Sequence, residues 1–280
     1  MVGTVEYAVP ASLTSMLTSG STAQRNTQYA RSVKISVALV PKLLRDPERH
    51  AVAVVDVLRA TTSLVTMFDR GLVRAIIPDS LRDARALALQ NFSLLCGEAR
   101  ALPLAGFDYG NSPAEFSTLS LKHKSAVLWT TNGTKAIAAA AQAPVVVAAA
   151  FTNRSAAAAM LLREATRRRL DIAVICAGLE RGQLYSLEDN VAAGAIVEAA
   201  RELSTELEMT DSAWAAQHLW RWYKGEPARA FRHAAHGRAL ARMGFEQDLQ
   251  IAAAVDASAA VPCLSLRNGV KVLRIGADRR

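Results

Sequence analysis

Short runs of apolar residues, each closed by a glycine, a proline or a polar turn, alternate along this chain with segments whose apolar positions recur at helical spacing. The runs at 34–40, 51–57, 73–77, 92–96, 126–130, 145–150 and 172–176 are short and rich in Val, Ile and Ala, which predicts strands buried on both faces. Between them, 61–70, 80–90, 135–141 and 155–168 carry the helical pattern; Ser80 is placed as an N-cap, with Asp83 three residues on. Strands and helices alternating at this spacing predict an α/β fold with mostly parallel sheet and helices on both faces. From Asn190 onward the pattern turns helical, with helices expected over about 190–206, after an Asp211-Ser212 cap, over 229–243 and over 246–256. Finally, apolar alternation at 263–267 and 270–274 flanks Asn268-Gly269, a strong hairpin signal.

Each half of the chain has a strand, a polar turn and a helix, and later a strand ending in glycine before an acidic loop. This predicts two related α/β/α lobes, 34–122 and 123–280, the second carrying the C-terminal helices and the hairpin. Residues 1–33 are rich in Ser, Thr and Ala, hold Glu6 as their one acid, and lack hydrophobic periodicity. They have neither the basic n-region nor the apolar core of a secretory signal, so a poorly ordered extension is expected there.

Composition narrows the function classes. The 280 residues are 51% hydrophobic and 21% charged, as in ordinary globular proteins. No apolar run approaches the roughly 18–20 residues of a membrane span. Cys96, Cys176 and Cys263 are too scattered for a disulfide framework or a paired-cysteine zinc site, which suits a reducing, cytoplasmic setting. The net charge of +8 is dispersed; Arg167-Arg168-Arg169 fits a helix C-terminus, where cations are favoured, better than a nucleic-acid surface. A positive field also suits a small anionic phosphorylated substrate. No nucleic-acid or membrane partner is expected, and a homodimer is carried as an expectation.

The chemistry is expected at five acids in apolar, glycine-rich surroundings: Asp56, Glu98, Asp108, Glu188 and Asp189. Asp56 ends a fully apolar run, where an ionised carboxylate is costly unless paired or holding a metal. Strand ends of this kind are also where ligands bind in open α/β sheets. Asp56-Val57-Leu58-Arg59-Ala60-Thr61-Thr62 puts an acid, a base and two hydroxyls at a strand-to-helix junction that could receive an anion. An Asp–Arg pair with hydroxyl caps is the structural alternative. Thr130-Thr131-Asn132-Gly133-Thr134 forms a second junction. Glu188 and Asp189 could simply serve a helix dipole, yet with Asp56 and Glu98 they offer hard oxygen ligands suited to Mg²⁺. Asp108 and Glu188 are the candidates for proton transfer. Walker A and dinucleotide-binding patterns are absent, as are the cysteine-phosphatase loop and the paired aspartates of aspartyl-phosphate phosphatases.

Taken in order, 56–62, Gly97-Glu98, Gly106-Phe107-Asp108-Tyr109-Gly110-Asn111-Ser112-Pro113, 130–134 and Ser186-Leu187-Glu188-Asp189 resemble the 2-phosphosulfolactate phosphatase family. Ala192-Ala193-Gly194 and the later His236-Gly237, Leu240, Gly244-Phe245 and Asp248 fit it too, so the resemblance runs over about 34–261. It implies an α/β fold of two related lobes with a Mg²⁺-dependent site between them. It also implies hydrolysis of 2-phospho-3-sulfolactate to 3-sulfolactate and phosphate, a step toward coenzyme M. On that footing Asp56, Asp108 and Glu188 are expected to be catalytic, and Asp56, Glu98, Glu188 and Asp189 to be metal ligands. Arg59, Thr61, Asn111, Ser112, Thr131, Asn132, Gly133 and Thr134 are expected to bind substrate. One departure stands out: the family's Gly-Glu-Arg-Gly-Gly is Gly97-Glu98-Ala99-Arg100-Ala101 here, with the arginine displaced by one position. Two alternatives stay open: another small phosphorylated hydroxy acid as substrate, or a non-catalytic anion-binding protein.

Overall fold

The computed structural model describes residues 32–276, so nearly all of the extension expected at 1–33 lies outside the described residues. The elements begin with β1 (Lys34–Ala38), β2 (His50–Val55), α1 (Ala60–Asp69), β3 (Arg74–Ile77), α2 (Leu81–Gln90), β4 (Leu94–Ala99) and β5 (Leu102–Pro103). They continue with α3 (Pro113–Ser117), β6 (Ser125–Trp129), α4 (Gly133–Ala139), β7 (Val145–Ala149), α5 (Arg154–Arg168), β8 (Asp171–Cys176) and α6 (Leu187–Leu203). The last are β9 (Glu208–Met209), α7 (Asp211–Trp222), α8 (Pro227–His233), α9 (Ala235–Arg242), α10 (Glu246–Ala252), β10 (Pro262–Arg267) and β11 (Val270–Ile275). This is the expected α/β class, with a mostly parallel sheet.

The strands form one sheet in the order β5-β4-β6-β3-β11-β10-β7-β2-β8-β1-β9. It consists of two parallel blocks. In one, β6 pairs in parallel with β3 and β4. In the other, β2 lies between β7 and β8, and β8 pairs with β1. The terminal hairpin joins them: β10 runs antiparallel to β7, and β11 antiparallel to β3. Asn268 and Gly269 both take positive φ, 50° and 77°, as a tight two-residue hairpin turn requires. Strand order thus cuts across the 122/123 division. β1 and β2 sit with β7 and β8, while β6 sits with β3 and β4.

Side-chain parity on β2 shows how the layers form. Ala51, Ala53 and Val55 pack toward Leu161 of α5 and the alanines of α6, whereas Val52 and Val54 pack toward Leu64 of α1 and Ile137 of α4. A strand covered on both faces needs apolar residues at every position, hence the unbroken run. Small side chains let α6 and α7 approach closely: a Cβ on Gly194 would lie 1.9 Å from the Ala216 carbonyl oxygen. Where a single helix was expected over 229–243, the chain breaks at Ala234, with φ −70° and ψ 138°. Gly237 then packs on the Phe231 carbonyl, where a Cβ would come within 2.3 Å. Both halves are helical, so periodicity reads across the break. No helix among the described residues is long and apolar enough to cross a membrane.

Replacing Gly194 with alanine forces α6 and α7 apart. We expect a loss of about 1–3 kcal/mol in unfolding free energy, the usual range for an overpacked contact, measured by urea denaturation.

Candidate active site

The polar residues sit at or just beyond the C-terminal ends of strands from both blocks, which run antiparallel to each other. Asp56 follows β2, Glu98 lies near the end of β4, Thr130 and Thr131 follow β6, and Asp189 sits in the first turn of α6 beyond β8. A cleft of about 230 Å³ opens there, lined on its polar side by Asp56, Arg59, Glu98, Arg100, Asn111, Thr131, Asn132 and His236. Its apolar wall comes from Leu58, Ala101, Ala239, Leu240 and Met243.

Asp56 is 7% exposed. Its Oδ1 has only a long contact from the Ala60 N–H, at 3.4 Å. Burial, then the charge of Glu98 and that of Glu188, push its carboxyl from 3.8 up to about 7, against the pull of the Ala60 N–H and Arg59. Gly133 permits this crowding: a Cβ there would fall 2.5 Å from Ala60 Cβ and 2.7 Å from Asp56 Oδ2. Burial, followed by the charges of Asp56 and Glu188, holds the Asp189 carboxyl well above its ordinary range. Burial also raises Glu188, opposed by His236 and Ser186. Asp56 is therefore within electrostatic reach of Glu98, Glu188 and Asp189, and Asp189 also of Glu188.

They differ in what their oxygens already hold. Glu98 accepts the Thr131 and Ala101 N–H groups, each at 2.8 Å, and the Thr131 hydroxyl at 3.3 Å. Asp189 accepts the Val57 N–H at 3.0 Å and the Gly178 N–H at 3.1 Å. These two acids tie strand ends together, as buried carboxylates can when backbone donors satisfy them. Glu188 and Asp189 lie inside α6 rather than ahead of it, with Ser186 as the N-cap accepting from the Asp189 N–H. Among the described residues no three of His, Cys, Asp or Glu are arranged to hold a metal, so the four-ligand set is not formed. Asp56 is the residue that would hold Mg²⁺ here, since this ion commonly takes only one or two carboxylates.

Other expected residues divide similarly. Asp108 is exposed; its Oδ2 accepts the Leu95 N–H at 2.8 Å, making it a brace for β4 and not a cleft residue. Thr61 Oγ1 donates to the Asp56 carbonyl at 2.9 Å and accepts the Asp56 N–H at 3.0 Å. Thr134 exchanges hydrogen bonds with Thr130 in the same manner. Ser112 caps α3 by accepting the Glu115 N–H. These three hydroxyls are occupied within the chain because the turns need them. Asn132 receives the Arg181 N–H at 2.8 Å and still faces the cleft, and Thr131 lines it too. Asn111 is buried, and its Oδ1 has no hydrogen-bond partner among the described residues, which leaves an acceptor open to a donor or a cation.

Arg59 is held on three sides. One nitrogen donates to Asp248 Oδ2 at 2.7 Å, another to the Ala101 carbonyl at 2.6 Å, and its plane lies 4.3 Å from the Phe245 ring centre. Arg100 is exposed at the cleft mouth and has no partner among the described residues. His236 was given no role by its spacing to other histidines. Its Nε2 lies 2.8 Å from the Leu58 carbonyl, which can only accept, so Nε2 carries the hydrogen. His236, Ala239, Leu240 and Met243 recur at i, i+3, i+4 and i+7; that stripe was the available signal that one face of α9 closes the cleft.

Comparison with known proteins agrees with the resemblance. A family model described as 2-phosphosulpholactate phosphatase matches residues 38–266. A protein of Parasynechococcus marenigrum is 37% identical over 228 residues, covering 78% of this chain and 90% of its own. One from Symbiobacterium thermophilum is 35% identical over 199 residues, 70% of this chain and 83% of its own. One from Carboxydothermus hydrogenoformans is 33% identical over 242 residues, 86% and 97% respectively. All three carry the description probable 2-phosphosulfolactate phosphatase. With most of its length matched by that family's model, this chain belongs to the 2-phosphosulpholactate phosphatase family.

Proposed function

We propose that this protein is a phosphoric monoester hydrolase that cleaves 2-phospho-3-sulfolactate to 3-sulfolactate and phosphate, with Mg²⁺ as its cofactor and a place in a coenzyme M-type pathway. The observation that carries this reading is the Asp56 carboxylate, buried in a polar cleft beside Arg59, in a chain of this family. Hydrolysis requires water to add at phosphorus, the bond from phosphorus to the C2 oxygen to break, and that oxygen to gain a proton. Mg²⁺ held by Asp56 would neutralise phosphate charge and favour the ionised carboxylate. Arg59 binds and orients phosphate oxygens through its N–H groups and offsets charge developing on them, and Asn111 can reach them only by donating its side-chain N–H. Glu188, buried within electrostatic reach of Asp56 and raised by that burial, is the candidate to supply the proton, although it does not line the cleft itself. Leu240 and Met243 limit water on the other wall. Arg100, at the cleft mouth and without a partner among the described residues, is a cation for a second anionic end of the substrate.

Phosphate release from a panel of small phosphate monoesters, with and without a sulfonate, tests the reading. We expect 2-phosphosulfolactate to be preferred; equal turnover of unsulfonated hydroxy-acid phosphates would reassign the substrate. Asp56→Asn is expected to lower kcat by about 100-fold or more, within the usual range for losing a catalytic group. Chelation should abolish phosphate release and added Mg²⁺ restore it; full activity after exhaustive chelation would refute the cofactor.

The raised Asp56 carboxyl also makes a stability prediction for the metal-free protein. Its folded value lies above 3.8, so the folded state binds the proton more tightly than the unfolded chain. That stabilisation is full below about pH 4 and is lost as the pH rises to about 7. In chelator, melting curves across this window should fall more steeply for the native protein than for Asp56→Asn. Above about pH 7 the variant should be more stable, by on the order of a few kcal/mol.

A further inference from the structure

Asp248 is 1% exposed, and both of its oxygens are engaged with the cleft's walls. Oδ2 takes the Arg59 guanidinium at 2.7 Å. Oδ1 takes the Ser112 hydroxyl at 2.5 Å and the Ala114 N–H at 3.0 Å, immediately after Asn111. It stands on α10, far along the chain from both partners, and Phe245, just before that helix, lies under the Arg59 plane. Arg59 and Asn111 come from separate loops, after β2 and before α3, and among the described residues Asp248 is the one side chain bonded to both loops.

We propose that Asp248 is the positioning residue of this site, fixing the Arg59 fork and the Asn111 loop in the separation needed to grip one phosphate group. An arginine side chain is long and flexible. Pinned at one nitrogen by Asp248 and at another by the Ala101 carbonyl, it presents its remaining N–H groups in a single orientation. The inference rests on phosphate binding in this cleft, so turnover and phosphate binding are read separately.

The test is a double-mutant cycle on Asp248→Asn and Arg59→Gln. It follows the binding of inorganic phosphate by calorimetry and the kcat and KM for 2-phosphosulfolactate. Asp248→Asn keeps an acceptor for Ser112 and Ala114 but replaces the carboxylate facing Arg59. We expect phosphate to bind about 10- to 100-fold more weakly, the scale of a charge-assisted contact, and KM to rise by a similar factor while kcat changes less. In the Arg59→Gln background the same change should add less than about two-fold. A merely structural Asp248 would lower the melting temperature while leaving the folded protein's phosphate affinity as in the native chain, and that result overturns the proposal. So does additivity of the two substitutions, or absence of phosphate binding by the native protein. If Asp248→Asn does not fold, Asp248→Glu, which shifts the carboxylate by one methylene, is measured instead, and unchanged phosphate affinity there is equally fatal. Phosphate binding that follows the expected pattern without turnover of 2-phosphosulfolactate would sink the substrate assignment and leave the role of Asp248 standing.

Discussion

Burying several carboxylates around one cleft is the constraint around which this molecule is arranged. Each charge removed from water must find donors, or it stays protonated, or a cation must join it. Glu98 and Asp189 find donors in backbone N–H groups of neighbouring loops and thereby fix where those loops run. Asp56 has almost none, and the other acids raise its carboxyl further. What would be a defect in a scaffold is the centre of a site. Its neighbours accommodate it: Gly133 leaves room, and hydroxyls of Thr61 and Thr134 hold the two junctions closed.

Much of the fold was legible because the forces that build it act locally. Strands covered on both faces need continuous apolar runs, and β2, β7 and β8 have them. Asn268-Gly269 announces a hairpin, since few other pairs accept two positive φ angles. Which strands neighbour which is a long-range choice, and the outline suggesting two consecutive lobes could not carry it. The blocks interleave in sequence, with β6 returning to β3 and β4 and the hairpin lying between blocks. The break at Ala234 escaped notice for a related reason, because α8 and α9 each satisfy helical periodicity.

At the site, Asp56 was legible because nothing about a buried strand explains an acid at its end. Asp108 carried the same kind of signal, a carboxylate in a glycine-rich loop, yet it braces the Leu95 N–H from an exposed position. Sequence registers the residue type; it does not register whether the carboxylate faces the backbone or the cleft. Thr61, Ser112 and Thr134 illustrate this with hydroxyls. The contributions of α9 and α10 were harder to read. His236 and Asp248 come to the cleft only through the packing of the C-terminal helices, α8 on α6 and α10 on α3, and their partners lie far off in sequence.

The hairpin of β10 and β11 has a bearing on how the chain comes together. Until those residues are made, β3 and β7 each present an unpaired apolar edge, and the two parallel blocks have no hydrogen-bonded seam. Open edges of this kind invite pairing with other chains. On the ribosome, the blocks must therefore wait for residues 262–275 before they become one continuous sheet. The cleft, which draws Asp56 from one block and Glu98 from the other, is completed by a segment that touches neither acid.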